Sequence, residues 1–228
     1  MKKFLILLVA MMVTASLSGA AVITFNNQAN WQTTVGAWTL FPFSSSTGLC
    51  LVCAAPSSPA GTTVTATVSG NNNYSGFFSI NSNGVFQDVL TKGQVPNQTD
   101  PSLSALSTTT FTWSGGAMSA VGGLWDTSPV SEGGKINIVL NLVGGGTTAV
   151  STLGPINGFF GWVSDVAFTS FTLSTNNNLT DSFGRPYGVE HYTLDNLQIA
   201  TVPEPATLSI MGLGLLGLGV ALRRYRRS

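Results

Sequence analysis

Short runs in which apolar and polar residues alternate recur through the middle of the chain. In residues 136–142 every second residue is apolar, and only Val139 breaks the alternation. Residues 62–68 show the same period of two, with threonines between the apolar positions. A period of two places one set of side chains against a core and the other set in solvent. The pattern is therefore typical of half-buried β-strands, and clusters of Asn and Gly mark the turns between them.

The alternation and the turn signals together predict ten or more short strands. The predicted strands cover residues 22–25, 38–43, 62–68, 76–80, 85–90, 108–113, 118–125, 135–142, 147–153, 158–164, 166–175 and 189–200. Residues 158–164 and 166–175 are predicted to be two paired strands. A short helix is predicted at residues 27–36, with Asn27 as its N-cap and Gly36 as its stop. Many short strands with almost no amphipathic helix favour an all-β fold, an antiparallel β-sandwich of jelly-roll type.

The beginning of the chain has the pattern of a secretory signal peptide. Lys2 and Lys3 precede an apolar run at residues 4–13, and small residues follow at 18–20. A basic start, an apolar stretch and a small-residue site are the three parts of such a peptide. We therefore expect a signal peptide at residues 1–20, cut after Ala20 or, alternatively, after Ala21.

The end of the chain predicts a membrane anchor. An uncharged apolar run at residues 206–222 lies at the short end of what spans a bilayer as a helix. An arginine cluster follows it and would hold this end on the cytoplasmic side. The cluster consists of Arg223, Arg224, Arg226 and Arg227. Residues 21–201 then form the exported domain, and residues 202–228 form a C-terminal tail.

Charge in the exported domain limits the classes of partner. Lys92, Lys135 and Arg185 are its cations, and its carboxylates outnumber them. A mildly acidic domain without a basic patch is a poor partner for nucleic acid. Thr, Ser, Asn and Gly are abundant instead, which is typical of an exported β-protein with hydroxyls and amides on its surface.

The tail resembles the PEP-CTERM sorting signal of Gram-negative bacteria. The resemblance rests on a fixed order: a Pro-Glu-Pro motif, an apolar run and an arginine-rich end. It implies export, recognition by an exosortase, cleavage near Pro-Glu-Pro, and release to or anchoring at the cell surface or extracellular matrix. The membrane is then a transient anchor. The processing motif it implies is Val202, Pro203, Glu204 and Pro205.

A second resemblance concerns the exported domain. Residues 122–126, 154–165, 168–171 and 192–197 are similar to the β-sandwich ectodomains often found ahead of PEP-CTERM tails. That resemblance implies the fold and carries no catalytic residues. A structural interpretation fits the same stretches, with Asp165 and Asp195 capping turns. The aromatic residues that would fill the core are Phe159, Phe160, Trp162, Phe168 and Phe171.

Two cysteines, Cys50 and Cys53, lie in a loop rich in Ser, Pro and Gly at residues 44–61. An exported protein meets an oxidising compartment, so we expect these cysteines to form a local disulfide. A zinc site would need two further soft ligands, and His191 is the single histidine of the chain. A thioredoxin-like redox pair would open a helix, which Pro56 and Pro59 disfavour.

No residue pattern indicates catalysis. The chain has no Gly-x-Ser-x-Gly motif, and the one histidine has no evident nucleophile beside it. Scattered carboxylates give no reason to choose a pair for glycoside hydrolysis. Loop aspartates leave calcium open, although neither an EF-hand nor a nonapeptide loop is present. We therefore expect a protein that is not an enzyme and has no cofactor and no dedicated metal site.

Two functions remain from different classes. The first is a non-enzymatic structural or adhesive component of the cell surface or matrix. The alternative is a lectin-like, carbohydrate-binding module that contacts extracellular polysaccharide. Sugar rings stack on exposed tryptophans, and the chain offers five: Trp31, Trp38, Trp113, Trp125 and Trp162. Trp125, with Asp126 beside it at a strand end, is the predicted glycan contact.

Overall fold

A computed structural model describes residues 20–41, 43, 48–49, 52–54, 63–69, 76–80, 83–92, 107–127, 136–175, 179–180 and 186–201. The described residues form an all-β antiparallel fold with one short helix, as predicted. The helix α1 spans Gln28–Val35. The strands are β1 (Val22–Phe25), β2 (Thr39–Phe41), β3 (Gly48–Leu49), β4 (Val52–Ala54), β5 (Val64–Ser69), β6 (Gly76–Ile80), β7 (Asn83–Lys92), β8 (Thr108–Trp113), β9 (Met118–Asp126), β10 (Ile136–Leu142), β11 (Thr147–Ala149), β12 (Asn157–Thr175), β13 (Leu179–Thr180) and β14 (Pro186–Ala200).

The long strand β12 joins two portions of the sheet. Its first half pairs with β9 and β1, and its second half pairs with β8 and β10. Beyond β9 the first portion continues through β14, β7, β6 and β3, whereas β5 and β4 continue the second portion beyond β8. Every one of these pairings is antiparallel.

Aromatic side chains from the two portions meet in one core. The rings of Phe86 on β7 and Phe111 on β8 lie 5.1 Å apart, edge to face. Trp162 and Phe171, from the two halves of β12, lie 5.2 Å apart in the same arrangement. Edge-to-face rings at this spacing add to the stabilisation that burial alone supplies. The two portions therefore share one core, and all five aromatic residues predicted for the core are buried.

Helix α1 begins and ends at the predicted residues. The side chain of Asn27 accepts a 3.0 Å hydrogen bond from the amide of Asn30, which caps a helix start that would otherwise leave amides unpaired. Gly36 has a φ of +73° and donates its amide to the carbonyl oxygen of Gln32 at 3.0 Å. A residue without a Cβ adopts that left-handed conformation at little cost, so the helix ends there.

The buried face of α1 rests on two glycines. Gly122 on β9 and Gly161 on β12 are paired directly opposite each other. A Cβ on Gly161 would lie 2.9 Å from a ring carbon of Trp31, and one on Gly122 would lie 2.7 Å from the ring of Phe159. Any larger residue would therefore collide with these rings. The two glycines let Trp31 and Phe159 form a second, smaller core under the helix.

The predicted break at Asp165 is wrong, because β12 is one continuous strand. The backbone of Asp165 pairs with another part of the chain: its amide donates to the carbonyl oxygen of Ala21 at 3.1 Å. Val22 on β1 lies opposite Ser164. Pairing with β1 thus overrides a local turn signal, and Asp165 caps no turn. Asp195 likewise lies inside a strand, β14, next to an irregularity in its pairing with β9.

The predicted transmembrane segment at residues 206–222 lies outside the described residues, as do residues 1–19 of the predicted signal peptide at 1–20. Within the described ranges, no helix has the length and apolar character needed to cross a bilayer.

Candidate functional site

An open groove of about 510 Å³ lies where β12 begins. Thr24 and Asn26, at the end of β1, form one wall, and residues 151–156 form the other. The first residues of β12, among them Asn157 and Phe160, form the floor. The volume falls within the range of small-molecule sites. The groove therefore has the size of a small-molecule site.

A buried threonine holds the 151–156 wall in place. The Thr127 side chain is 1% exposed and donates a 3.1 Å hydrogen bond to the carbonyl oxygen of Gly154. It also accepts a 2.9 Å bond from the amide of Ile156, while the Thr127 amide donates to the Ile156 carbonyl oxygen. Leu153 exchanges backbone bonds with Ile136. The wall is thus anchored at both ends, and the groove needs no ligand to form it.

The lining combines an apolar floor with a neutral polar rim. Phe159 and Phe160 are 8% and 5% exposed, so their rings belong mainly to the core. The exposed rim carries the side chains of Thr24, Asn26 and Ser151. Among the described residues that line the groove, none is ionisable. Hydroxyls and amides both donate and accept hydrogen bonds, which suits a neutral, hydroxyl-bearing ligand.

Asp126 stands next to this groove. It lies opposite Asn157 in the pairing of β9 with β12. The side-chain nitrogen Nδ2 of Asn157 donates a hydrogen bond to Asp126 Oδ2 at 3.3 Å. The carboxylate is therefore a neighbour of a groove residue and is only partly exposed.

The prediction that Trp125 is exposed is wrong. Trp125 is 1% exposed and donates from Nε1 to the carbonyl oxygen of Phe160 at 3.1 Å. Its ring packs 6.1 Å from that of Tyr192. Leu124, one position earlier on β9, takes the outward direction at 36% exposed. Trp125 is therefore a core residue with no face open for a sugar.

None of the other four tryptophans lines the groove either. Trp38 is 38% exposed, and it borders a smaller depression of about 190 Å³ with Met118 and Thr201. Trp31, Trp113 and Trp162 are buried. The exposed indole and the groove thus involve different residues.

Sequence reasoning missed the groove because its key residue has no motif. Thr127 is a single threonine after a strand, and only its hydrogen bonds reveal its role. The Gly-Pro-Ile-Asn-Gly stretch at residues 154–158 was a usable signal, since Gly and Pro together mark an ordered turn.

Titratable groups in the described part of the chain do not assemble a metal centre. Within that part, no group of three or more His, Cys, Asp or Glu residues could hold a metal ion. Burial raises the pKa of the Asp195 carboxyl, and a hydrogen bond from the Asn196 amide opposes the rise. Asn196 has a φ of +48° at the irregular pairing in β14. The burial of this carboxyl thus comes with the irregular geometry of β14 at this point.

Several predicted site residues lie outside the described part of the chain. They are Cys50, Val202, Pro203, Glu204, Pro205, Arg223, Arg224, Arg226 and Arg227. Cys53 lies in β4, opposite Ala66. The disulfide between Cys50 and Cys53 stays a prediction.

Residues 201–227 match the family model of the PEP-CTERM protein-sorting motif. The chain therefore carries this sorting motif, as its proline, apolar and arginine pattern predicted. The matched residues begin directly after the last strand, β14, which ends at Ala200. No match was found among the curated proteins.

Several solved structures share a distant likeness with the chain. The family 32 carbohydrate-binding module of C. perfringens NanJ, in complex with galactose, is 12% identical, with a TM-score of 0.35 over 72% of this chain and 98% of that one. A second Clostridium perfringens module, in complex with GalNAc-β-1,3-galactose, is 10% identical, with a TM-score of 0.34 over 60% and 95%. The K2 cleaved adhesin domain of Lys-gingipain is 10% identical, with a TM-score of 0.32 over 79% and 100%. Likeness at this level says nothing about ligand or activity.

Proposed function

We propose that the protein is an exosortase substrate displayed at the cell surface or in the extracellular matrix of a Gram-negative bacterium, where it has a non-enzymatic, structural or adhesive role. The observation that carries this proposal is the sorting motif at residues 201–227, placed immediately after a folded β-domain. The domain is proposed to be a sandwich of jelly-roll type. A signal peptide at residues 1–20 starts its export, and residues 206–222 anchor it until processing.

The short connection between domain and anchor limits how processing occurs. Ala200 is buried at the end of β14, so the folded body reaches to the edge of the motif. The four residues 202–205 span at most about 14 Å when fully extended. Pro203 and Pro205 disfavour helix in the residues before them, so the sequence predicts an extended segment around Glu204. The exosortase therefore acts on a short spacer held between the folded body and the membrane.

A motif variant tests the sorting proposal. Replacing Pro203, Glu204 and Pro205 with alanine removes the processing motif and leaves the apolar run and the arginines in place. We expect this variant to accumulate uncut in the membrane fraction. Thr67→Ala, at an exposed position of β5 outside residues 201–227, is the control and should be sorted like the natural chain. If the triple-alanine variant were found processed at the surface in the same amount as the natural chain, that result would contradict the proposal.

A specific observation favours a second function, contact with extracellular polysaccharide. The groove at the start of β12 has a neutral rim of hydroxyls and amides, as a site for sugar hydroxyls requires. Binding without turnover agrees with a role in a matrix. Release of new reducing ends from any polysaccharide, measured with the exported protein, would overturn the non-enzymatic role.

A further inference from the structure

We propose that the groove between the end of β1 and residues 151–156 is the polysaccharide-binding site, and that it takes neutral chains in preference to uronic-acid polymers. This inference rests on the proposed contact with extracellular polysaccharide and assigns that contact to named residues. It replaces the buried Trp125 as the point where sugar meets the protein.

The first step in the argument is that the groove is already formed. Thr127 fixes the 151–156 wall with two side-chain bonds, to Gly154 and Ile156. The opposite wall belongs to β1, which pairs with β12 from Val22 to Phe25. A site held in its binding shape loses less entropy when a ligand arrives. The groove thus meets a requirement of a binding site that a mobile surface loop would not.

The second step is the free hydrogen-bonding capacity of the rim. Within the described part of the chain, no hydrogen bond engages the side chains of Thr24, Asn26 or Ser151. The side-chain nitrogen of Asn157 donates a hydrogen bond to Asp126, and the side-chain oxygen of Asn157 can still accept one. Each hydroxyl of a sugar donates one bond and accepts others. The rim therefore offers both kinds of partner to a neutral sugar.

The third step is charge, which decides the class of polysaccharide. Among the described residues that line the groove there is no Lys or Arg, so none of them compensates a uronate carboxylate. Asp126 Oδ2 lies 3.3 Å from the side-chain nitrogen Nδ2 of Asn157, so an acidic residue borders the site. Juxtaposed like charges discriminate against the wrong partner. Neutral xylan, galactan or mannan fits the groove better than alginate.

The burial of the floor sets the expected strength. The rings of Phe159 and Phe160 have little exposed surface and cannot offer a whole face for stacking. Hydrogen bonds that replace bonds to water contribute modestly. We therefore expect a dissociation constant on the order of 1 mM for a single site. Many copies displayed on one matrix would raise the avidity.

Two groove variants and one control provide the test. Gly154 lines the groove, and a Cβ there would meet no atom within 4 Å. Gly154→Phe therefore has room for its Cβ, and we expect its ring to occupy the open space of the groove. Asn26→Ala removes one rim amide that makes no hydrogen bond to a described residue. Thr67→Phe, at an exposed position of β5, adds the same ring far along the sheet order from the groove.

Affinity electrophoresis of the exported protein measures the result, in gels that contain xylan, galactan, mannan, alginate or polygalacturonate. We expect at least one neutral polymer to retard the natural chain. We expect no retardation by alginate or polygalacturonate, the two uronic-acid polymers. Gly154→Phe should weaken binding by at least about tenfold, and Asn26→Ala by about three- to tenfold. Thr67→Phe should bind like the natural chain. Thermal unfolding shows whether each variant is folded. If Gly154→Phe is not folded, Asn26→Ala alone tests whether the groove binds the polymer.

Three outcomes would overturn the inference. One is retardation by uronic-acid polymers that equals or exceeds retardation by neutral ones. Another is neutral binding that neither groove variant weakens, which would move the contact elsewhere and leave the polysaccharide role in place. The third is no retardation by any polymer. The surface role itself is judged by the sorting of the motif variant, so the two proposals fail separately.

Discussion

The backbone nitrogen of Ala21 donates a hydrogen bond of 2.8 Å to Asp165 Oδ1. The Asp165 amide donates in return to the Ala21 carbonyl oxygen at 3.1 Å. These bonds join the first residue of the predicted mature chain to the middle of β12. If the signal peptide is cut after Ala20, the nitrogen of Ala21 becomes an ammonium group that lies directly beside a carboxylate.

The mature N-terminus is therefore expected to form an ion pair with Asp165. A nearby carboxylate raises the pKa of an α-amino group above its ordinary value of about 7.7–8.0. The pair then stabilises the mature protein while the ammonium group and the carboxylate are both charged, and this contribution is lost as pH rises through the raised pKa of the amine. Because the pair is exposed, Asp165→Asn should cost only about 0.2–1 kcal/mol at pH 7. Urea unfolding at pH 7 and pH 10 measures it.

The uncut precursor is the matched control for that prediction. Its Ala21 nitrogen is a neutral amide, so Asp165→Asn should lose less stability there and show no such dependence on pH above 7. An Asp165→Asn effect of equal size in precursor and mature chain would contradict the ion pair.

Trp31 is expected to be a main support of the smaller core under α1. Its Nε1 donates to the carbonyl oxygen of Trp162 at 3.2 Å, and the indole is fully buried between α1 and β12. Trp31→Ala should destabilise the protein by about 3–5 kcal/mol, as large-to-small core changes do. Trp38→Ala, at a side chain 38% exposed, should cost much less. Equal shifts in the urea midpoint of the two variants would contradict this packing.

Thr127 is expected to stabilise the groove wall through its hydroxyl. Thr127→Val keeps the shape of the side chain but leaves the Gly154 carbonyl and the Ile156 amide without this partner. Each unsatisfied group costs about 1–3 kcal/mol if it is buried, and less where water reaches it. Hydrogen exchange at the Ile156 amide should become faster. Thr127→Ser retains the hydroxyl and should exchange like the natural chain; unchanged exchange in Thr127→Val would refute the role of the hydroxyl.

The local elements were largely predictable, because they depend on local chemistry. Asn27 and Gly36 delimit α1 through capping bonds between neighbours in sequence. The period of two at residues 62–68 placed Val64, Ala66 and Val68 on the buried face of β5, where all three lie. Both patterns are complete within a few residues and need no knowledge of the rest of the fold.

The candidate site was not predictable, because it depends on contacts between distant residues. Leu124 and Trp125 are both apolar, so alternation alone cannot say which of them faces the core; the structure buries Trp125. The sequence predicted Asp165 as a turn residue. In the structure it lies within a strand and is hydrogen-bonded to the distant residue Ala21. The wall of the groove likewise depends on Thr127, which bonds to Gly154 across 27 positions in sequence.

Asp195 should give stability a measurable pH dependence in acid. Burial raises the pKa of its carboxyl above the usual value near 3.8. The folded protein therefore binds the proton more tightly than the unfolded chain does, and stability falls as pH rises from about 3.8 through the raised value. Asp195→Asn should remove this decline relative to the natural chain. Parallel pH profiles of urea unfolding for the two proteins would contradict the prediction.

The masses of the two ends of the natural surface protein test the central claim most directly. The sorting motif at residues 201–227 implies cleavage by an exosortase, and the start of the chain predicts removal of residues 1–20. Mass spectrometry of the protein recovered from the surface of its own host should show a chain that begins at Ala21, ends within residues 202–205 and lacks residues 206–228. Recovery at the surface of a chain that extends to Ser228, from a strain with active exosortase, would contradict the account.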